Sequence, residues 1–109
     1  MTSSPSKIRG TRFETECVRF FRDHGFTKAV RNMNQTGANP TRFDVLGIAG
    51  WAVECKDDAR MSDGKAMDEA IRKAYQGTPV VIRKRRGCAI GRSLVIMELE
   101  SFVRLVGDA

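Results

Sequence analysis

Trp51-Ala52-Val53-Glu54-Cys55-Lys56 is the stretch that decides how this chain folds. Apolar and small residues run through it, so it reads as a strand, yet it carries a carboxylate and an ammonium two residues apart. Side chains alternate between faces along a strand, so Glu54 and Lys56 leave one face together while Val53 and Cys55 leave the other. Just before it, residues 42–48 form a second strand-like run joined through Ala49-Gly50, and a short glycine-containing connection of this kind reads as a β-hairpin. Pairing across that turn sets positions whose numbers sum to about 98 or 99 opposite one another, which brings Asp44 opposite Glu54 or Cys55. One carboxylate from each strand can therefore converge on a single place.

Outward from the hairpin, residues 8–24 carry Phe13, Cys17, Phe20, Phe21 and His24 at the i, i+4, i+7, i+8 spacing of an amphipathic helix, stopped by Gly25. Residues 26–31 predict a short strand, and residues 32–41 a polar, turn-rich loop. On the other side, residues 57–64 read as a loop, and residues 65–76 as a helix with Met67, Ala70, Ile71 and Ala74 on one face, ending at Gly77. Residues 79–83 and 93–99 are further strands, with the basic turn Arg83-Lys84-Arg85-Arg86-Gly87 after the first, and residues 100–106 make a short closing helix. This order predicts an α/β fold with a central mixed five-stranded sheet flanked by helices. At 109 residues the chain is expected to be one domain, with residues 1–7 as a flexible lead-in.

A formal net charge of +6 and a pI of about 9.7 point to an anionic partner. Without an apolar run, a secretory signal or a basic amphipathic helix, the expectation is a cytoplasmic protein that binds nucleic acid and no membrane. Cys17, Cys55 and Cys88 are odd in number and widely spaced, which argues against a disulfide framework. With His24 the only histidine, a zinc site is equally poorly served; the thiols read as reduced, Cys17 as a core filler and the others as strand residues. His24 reads as a helix-end residue facing the negative end of the helix dipole.

Two carboxylates cannot share a small site cheaply unless a cation neutralises them, and oxygen donors of this kind suit Mg²⁺ or Mn²⁺. A lysine beside such a site can stabilise charge on a phosphate or hold an attacking water. Asp44, Glu54 and Lys56 are thus the parts needed to hydrolyse a phosphodiester. Asp44, nine intervening residues, then Glu54-Cys55-Lys56 resembles the D-(x)n-E-x-K core of the PD-(D/E)xK nuclease superfamily. Gly10-Thr-Arg-Phe-Glu14-Thr-Glu-Cys-Val-Arg-Phe-Phe-Arg-Asp-His-Gly25-Phe, then Val30-Arg31 and a glycine-containing loop before Asp44, is similar to archaeal-type Holliday junction resolvases, the likeness running from about Gly10 to Ile82.

That resemblance implies a restriction-endonuclease-like core and a Mg²⁺-dependent endonuclease of DNA recombination or repair, with Mn²⁺ able to substitute. By the same likeness Glu14, Asp44, Glu54 and the Cys55 backbone carbonyl hold the metal, and Lys56 assists the water. Phe43 stands where the superfamily's name has proline. Glu14 also passes a separate test. At about 100° per residue it lies roughly 75° from the centre of the helix's apolar face, so a carboxylate there can reach over the sheet edge.

Basic residues such as Lys28, Lys65, Arg72, Lys73 and Arg92 are scattered, as phosphate contacts usually are. Arg9 and Arg12 on the first helix belong to this scattered set, whereas Arg31 and Arg42 flank the polar loop, lie closest in sequence to the site and are the candidates for positioning the scissile strand. Within that loop Asn34, Gln35, Thr36 and Asn39 can hydrogen-bond phosphate. Arg83, Lys84, Arg85 and Arg86 form a run whose self-repulsion an anion such as DNA would relieve. The resemblance also implies that Gln76 is a helix glutamine adjacent to the site, the alternative being an ordinary helix C-terminus before Gly77. The expected substrate is branched DNA, the four-way junction first. Two symmetric cuts call for a two-fold homodimer. The alternatives are another nuclease of the superfamily, of repair or restriction type, and a catalytically silent DNA-binding module on the same fold.

Overall fold

The structure, a computed structural model, describes residues 4–34 and 41–107. Its elements in chain order are helix α1 (Pro5–Asp23), strands β1 (Val30–Arg31), β2 (Val45–Leu46) and β3 (Trp51–Lys56), helix α2 (Asp63–Lys73), strand β4 (Thr78–Arg83), a 3-10 turn (Ile90–Arg92), strand β5 (Leu94–Ile96) and helix α3 (Leu99–Gly107). The five strands lie in the order β1-β2-β3-β4-β5, antiparallel throughout except for the parallel pair β3 and β4. The α/β architecture around a five-stranded mixed sheet is thus the one the sequence predicts.

Several boundaries move, each for a local reason. Helix α1 begins at Pro5, so residues 5–7 are helix and not lead-in. Ser4 caps it by accepting a hydrogen bond from the Lys7 N–H at 3.2 Å, and proline suits the first turn. The strand expected over residues 26–31 shrinks to Val30–Arg31, because the Ala29 N–H turns back to the Phe26 carbonyl. Ser62 caps α2, which ends at Lys73, three residues short of the expected limit, and Ala74 is already extended. Its buried stripe is Ala66, Met67 and Ala70, while Ile71 is exposed. Cys88 is exposed in the turn after β4, not in a strand. Gln35, Thr36 and Asn39 lie outside the described residues.

The hairpin expectation fixes what matters for the site. Val45 faces Val53 across β2 and β3, and the Asp44 N–H donates to the Val53 carbonyl at 2.9 Å. The ladder therefore carries Asp44 beyond the formal end of β2 and sets it level with Glu54. Gly47 makes the turn possible. Its φ is +91°, and a Cβ there would come within 2.1 Å of the Lys28 carbonyl oxygen. Gly47→Ala is expected to cost about 3 kcal/mol of stability from backbone strain and displaced main chain, read as a shift in the urea midpoint. An unchanged midpoint would mean that the 28–29 segment yields freely.

Strand alternation sorts the two faces. Val53 and Cys55 pack toward Val18 and Phe21 of α1, with Val45 and Val80 beside them. Val81 packs on the opposite face against Ala66, Met67 and Ala70 of α2. Parallel strands such as β3 and β4 need a crossover, and α2 is that crossover. It covers the face on which Glu54 and Lys56 emerge. Full burial of Phe13, Val45, Val53 and Val81 supplies about 1.5–3 kcal/mol apiece, before ordering entropy is set against it. The far side is less finished: Leu94 and Val95 of β5, and Leu99, Phe102, Val103 and Val106 of α3, are exposed. No helix among the described residues is long and apolar enough to cross a membrane.

Candidate active site

Glu14, Asp44 and Glu54 come from α1, from the residue preceding β2 and from β3, and Asp44 stands between the other two. Asp44 is buried, and its Oδ2 accepts the Cys55 N–H at 2.7 Å. Cys55 thus meets the acidic group through its amide. Glu14 reaches Asp44 from the edge of α1's buried face, as its helical position predicts, and its Oε2 lies 3.9 Å from Arg31 on β1. Burial, then the neighbouring charge of Asp44, pushes the Glu14 pKa up to about 7. Glu54 is fully buried, and burial followed by the charge of Asp44 raises it to about 7 as well. Both acids are therefore held against their preference for the charged form.

The cations that answer this charge come from two elements. The Lys56 Nζ is 3.8 Å from Glu54 Oε2 and hydrogen-bonds Glu69 Oε2 at 2.5 Å. Burial alone would lower the Lys56 pKa, but the bond to Glu69 and the charges of Glu54, Glu69 and Asp44 leave it raised. Its ammonium is firmly charged. The Lys73 Nζ donates to the same Glu54 Oε2 at 3.2 Å, whereas Glu54 Oε1 is buried with no partner among the described residues. Glu69 in turn is held below the usual carboxylate range, first by its bond to Lys56.

Sequence reasoning missed two members of this arrangement and misread a third. Glu69 was absent, and Lys73 counted only as one of the scattered cations. Their signal was the i, i+4 spacing on a helix whose buried stripe is Ala66 and Ala70, which puts both side chains beside that stripe. The third is Asn32, read only as a loop residue. It is buried, donates through Nδ2 to the Thr41 and Phe43 carbonyls at 2.8 and 2.9 Å, and gives its N–H to the Asp44 carbonyl. It thereby ties both ends of the polar loop to Asp44. Gln76 lies beyond the end of α2 and is exposed, so it is not a helix residue beside the site.

For a divalent cation the donor set fits in kind: carboxylate oxygens, one of them orphaned and buried, in a place where negative charge is destabilised. Among the described residues, no three acidic, cysteine or histidine side chains close in enough to form a ready cage. The acids form a line through Asp44, and the Lys73 ammonium occupies one end of it.

A cavity of about 410 Å³, lined by Lys7, Thr11, Glu14, Arg31, Asn32 and Asp44 among others, opens onto the acidic line. Arg31 has a buried Nε without a partner among the described residues, and so does Arg9, whose Nη2 donates to the Ser6 hydroxyl. Arg12 and Arg42 are exposed. The basic run is largely answered within the chain. Arg83 bonds Asp63 Oδ1 at 2.7 Å and the Asp58 carbonyl at 3.1 Å, and Arg86 lies 3.2 Å from Asp57. Lys84 sits over the Phe13 ring and 4.0 Å from Asp57. Within the run, Arg85 alone has a side chain with no partner among the described residues, so relief of self-repulsion does not require DNA. The Lys84 N–H donates to the Lys56 carbonyl, which keeps the turn beside the acidic site. Cys17 is buried against Cys55, whose thiol is raised well above its ordinary pKa by hydrogen bonding to Cys17 and by burial, so Cys55 is not a reactive thiolate. Comparisons with protein-family models, with curated proteins and with solved structures find no match for this chain.

Proposed function

We propose that this chain is a metal-dependent DNA endonuclease on a restriction-endonuclease-like core, selective for branched DNA and for the four-way junction above all. The observation that carries the reading is Glu54: a fully buried carboxylate with one oxygen lacking a partner, level with Asp44 and two residues from a charged lysine on the same face. A structural ion pair needs no orphaned oxygen, whereas a cation-binding acid has use for one. Glu14, Asp44 and Glu54 would hold Mg²⁺ or Mn²⁺, which when bound supplies neutralisation of phosphate charge and activation of water.

The chain's own residues divide the remaining work. Lys56, steadied by Glu69, faces the phosphate and stabilises the negative charge that builds up as the bond breaks. Arg31 lies beside Glu14 and lines the same cavity, from where it would hold the strand being cut. The basic turn, folded down on Asp57, presents Arg85 and Arg86 toward a second stretch of backbone. Two symmetric cuts need two sites, so the active species is a homodimer, for which the exposed apolar surface of β5 and α3 is the natural contact.

Cleavage of a four-way junction and of a linear duplex, each with and without Mg²⁺, tests the proposal. Mg²⁺-dependent cutting of the junction alone is the expected result. Equal cutting of both would favour a repair- or restriction-type enzyme. Binding without any cutting would favour a silent DNA-binding module, a reading supported by the lysines that already neutralise Glu54.

The roles of Lys56 and Glu14 should also separate. Lys56→Ala is expected to lose roughly 10²-fold or more in single-turnover cleavage while keeping its metal affinity. Glu14→Gln should instead bind the cation more weakly and recover in part with excess Mn²⁺. Calorimetric metal titration of the two variants checks this, and the opposite pattern would return Glu14 to the role of a helix-terminal charge.

A further inference from the structure

Helix α2 and strand β3 face each other with two crossed charge pairs. Glu54 and Lys56 are two apart on the strand, and Glu69 and Lys73 are four apart on the helix. Lys73 goes to Glu54 and Lys56 goes to Glu69, with Lys56 also 3.8 Å from Glu54. Both contacts to Glu54 fall on Oε2, leaving Oε1 empty-handed inside the protein. A fully buried, doubly answered carboxylate with one idle oxygen is an awkward end-point for a purely structural salt bridge, because the idle oxygen keeps its full desolvation cost. It makes sense as a resting arrangement whose partner is exchanged.

We propose that Lys73 is the site's built-in counter-cation: its ammonium stands on Glu54 in the metal-free protein and is displaced when a divalent cation binds. The idea rests on the metal-site reading above and adds a residue to it. Three features carry it. The Lys73 side chain is 30% exposed, so it has a route outward, whereas Glu54 at 0% has none. Glu69, one turn back on the same helix, is the acid beside which a displaced ammonium can settle; a glutamate four residues before a lysine is the favourable order for such a pair. Lys56 cannot take the same part, because its ammonium is already bonded to Glu69 and sits farther from Glu54. Lys73 therefore does two things: it keeps the acidic line tolerable without metal, and it sets how tightly metal binds, since every incoming cation competes with it.

The test compares wild type, Lys73→Met and Lys73→Arg, all as the full chain stripped of metal. Calorimetric titration with Mn²⁺ should show Lys73→Met binding about tenfold tighter or better, because one positive charge has left the site, with Lys73→Arg close to wild type. Thermal melts should show metal-free Lys73→Met less stable than wild type, with the gap closed by saturating Mn²⁺. If Lys73→Met is unfolded without metal, Mn²⁺-driven folding is the same result in another form. If it stays unfolded in saturating Mn²⁺, Lys73 supplies something a cation cannot, and the proposal fails. Mn²⁺ binding by wild type with no tightening in Lys73→Met overturns the counter-cation role and leaves the nuclease reading standing. No Mn²⁺ binding by wild type or variant overturns both.

Discussion

Asp44→Asn and Glu54→Gln are each expected to abolish junction cleavage, by roughly 10²- to 10³-fold or more, while binding of the junction is kept or tightened. The two halves of the result have separate causes. Each substitution removes a donor that the cation needs, and Asp44 is the acid on which both glutamates lean. Each also removes a negative charge from beside the place a phosphate must occupy, which eases binding. Single-turnover cleavage in Mg²⁺, paired with gel-shift affinity in its absence, reads both. Substantial turnover by either variant would sink the assignment. The changes should differ in stability: asparagine keeps an oxygen for the Cys55 amide, whereas glutamine at position 54 leaves Lys73 beside a neutral partner.

The second large effect is on stability against pH. Glu14 and Glu54 both have folded-state pKa values near 7 against about 4.5 when unfolded. Below pH 4.5 these acids are protonated in both states and cost nothing. As pH rises toward 7, the unfolded chain releases protons that the folded one retains, so stability falls, and above 7 the loss is complete. For the metal-free protein the expected loss between pH 5 and 8 is a few kcal/mol for the pair. Glu69 and Asp58, with lowered values, act in the opposite sense and weaken the fold only at more acidic pH. Urea denaturation at pH 5 and pH 8 in a chelator checks this. Glu54→Gln should flatten the profile, and saturating Mg²⁺ should do so in wild type. A metal-free protein more stable at pH 8 than at pH 5 would mean that the two acids are not strained.

What could be read in advance depended on how local the signal was. Strand β3 could be read residue for residue, because alternation and the Gly50 turn are encoded within a few positions. The level of Asp44 with Glu54 followed by counting, and the placing of Glu14 by helical angle. The cap of α1 was missed although Ser4-Pro5 signals it, because hydrophobic periodicity starts only later, at Phe13. Lys73, Glu69 and Asn32 escaped for another reason. Each acquires its role from a partner 13, 19 or 12 positions away, and nothing local sets such a side chain apart from ordinary surface polarity. The basic run erred in the other direction: its composition suggested an unmet need for an anion, but Asp57 and Asp63 are nearby only once β4 lies beside β3.

The amide of Cys55 offers a window onto all of this. Its proton points at the central carboxylate of the acidic line, not at another backbone carbonyl. Anything that draws electron density from Asp44 must weaken that bond, and the amide resonance should move upfield as it does. In a nitrogen-proton correlation spectrum, Cys55 would therefore act as a native indicator of whether the site is loaded. Because it reports from inside the folded sheet without any label or substitution, it can follow a titration in which cleavage itself never occurs.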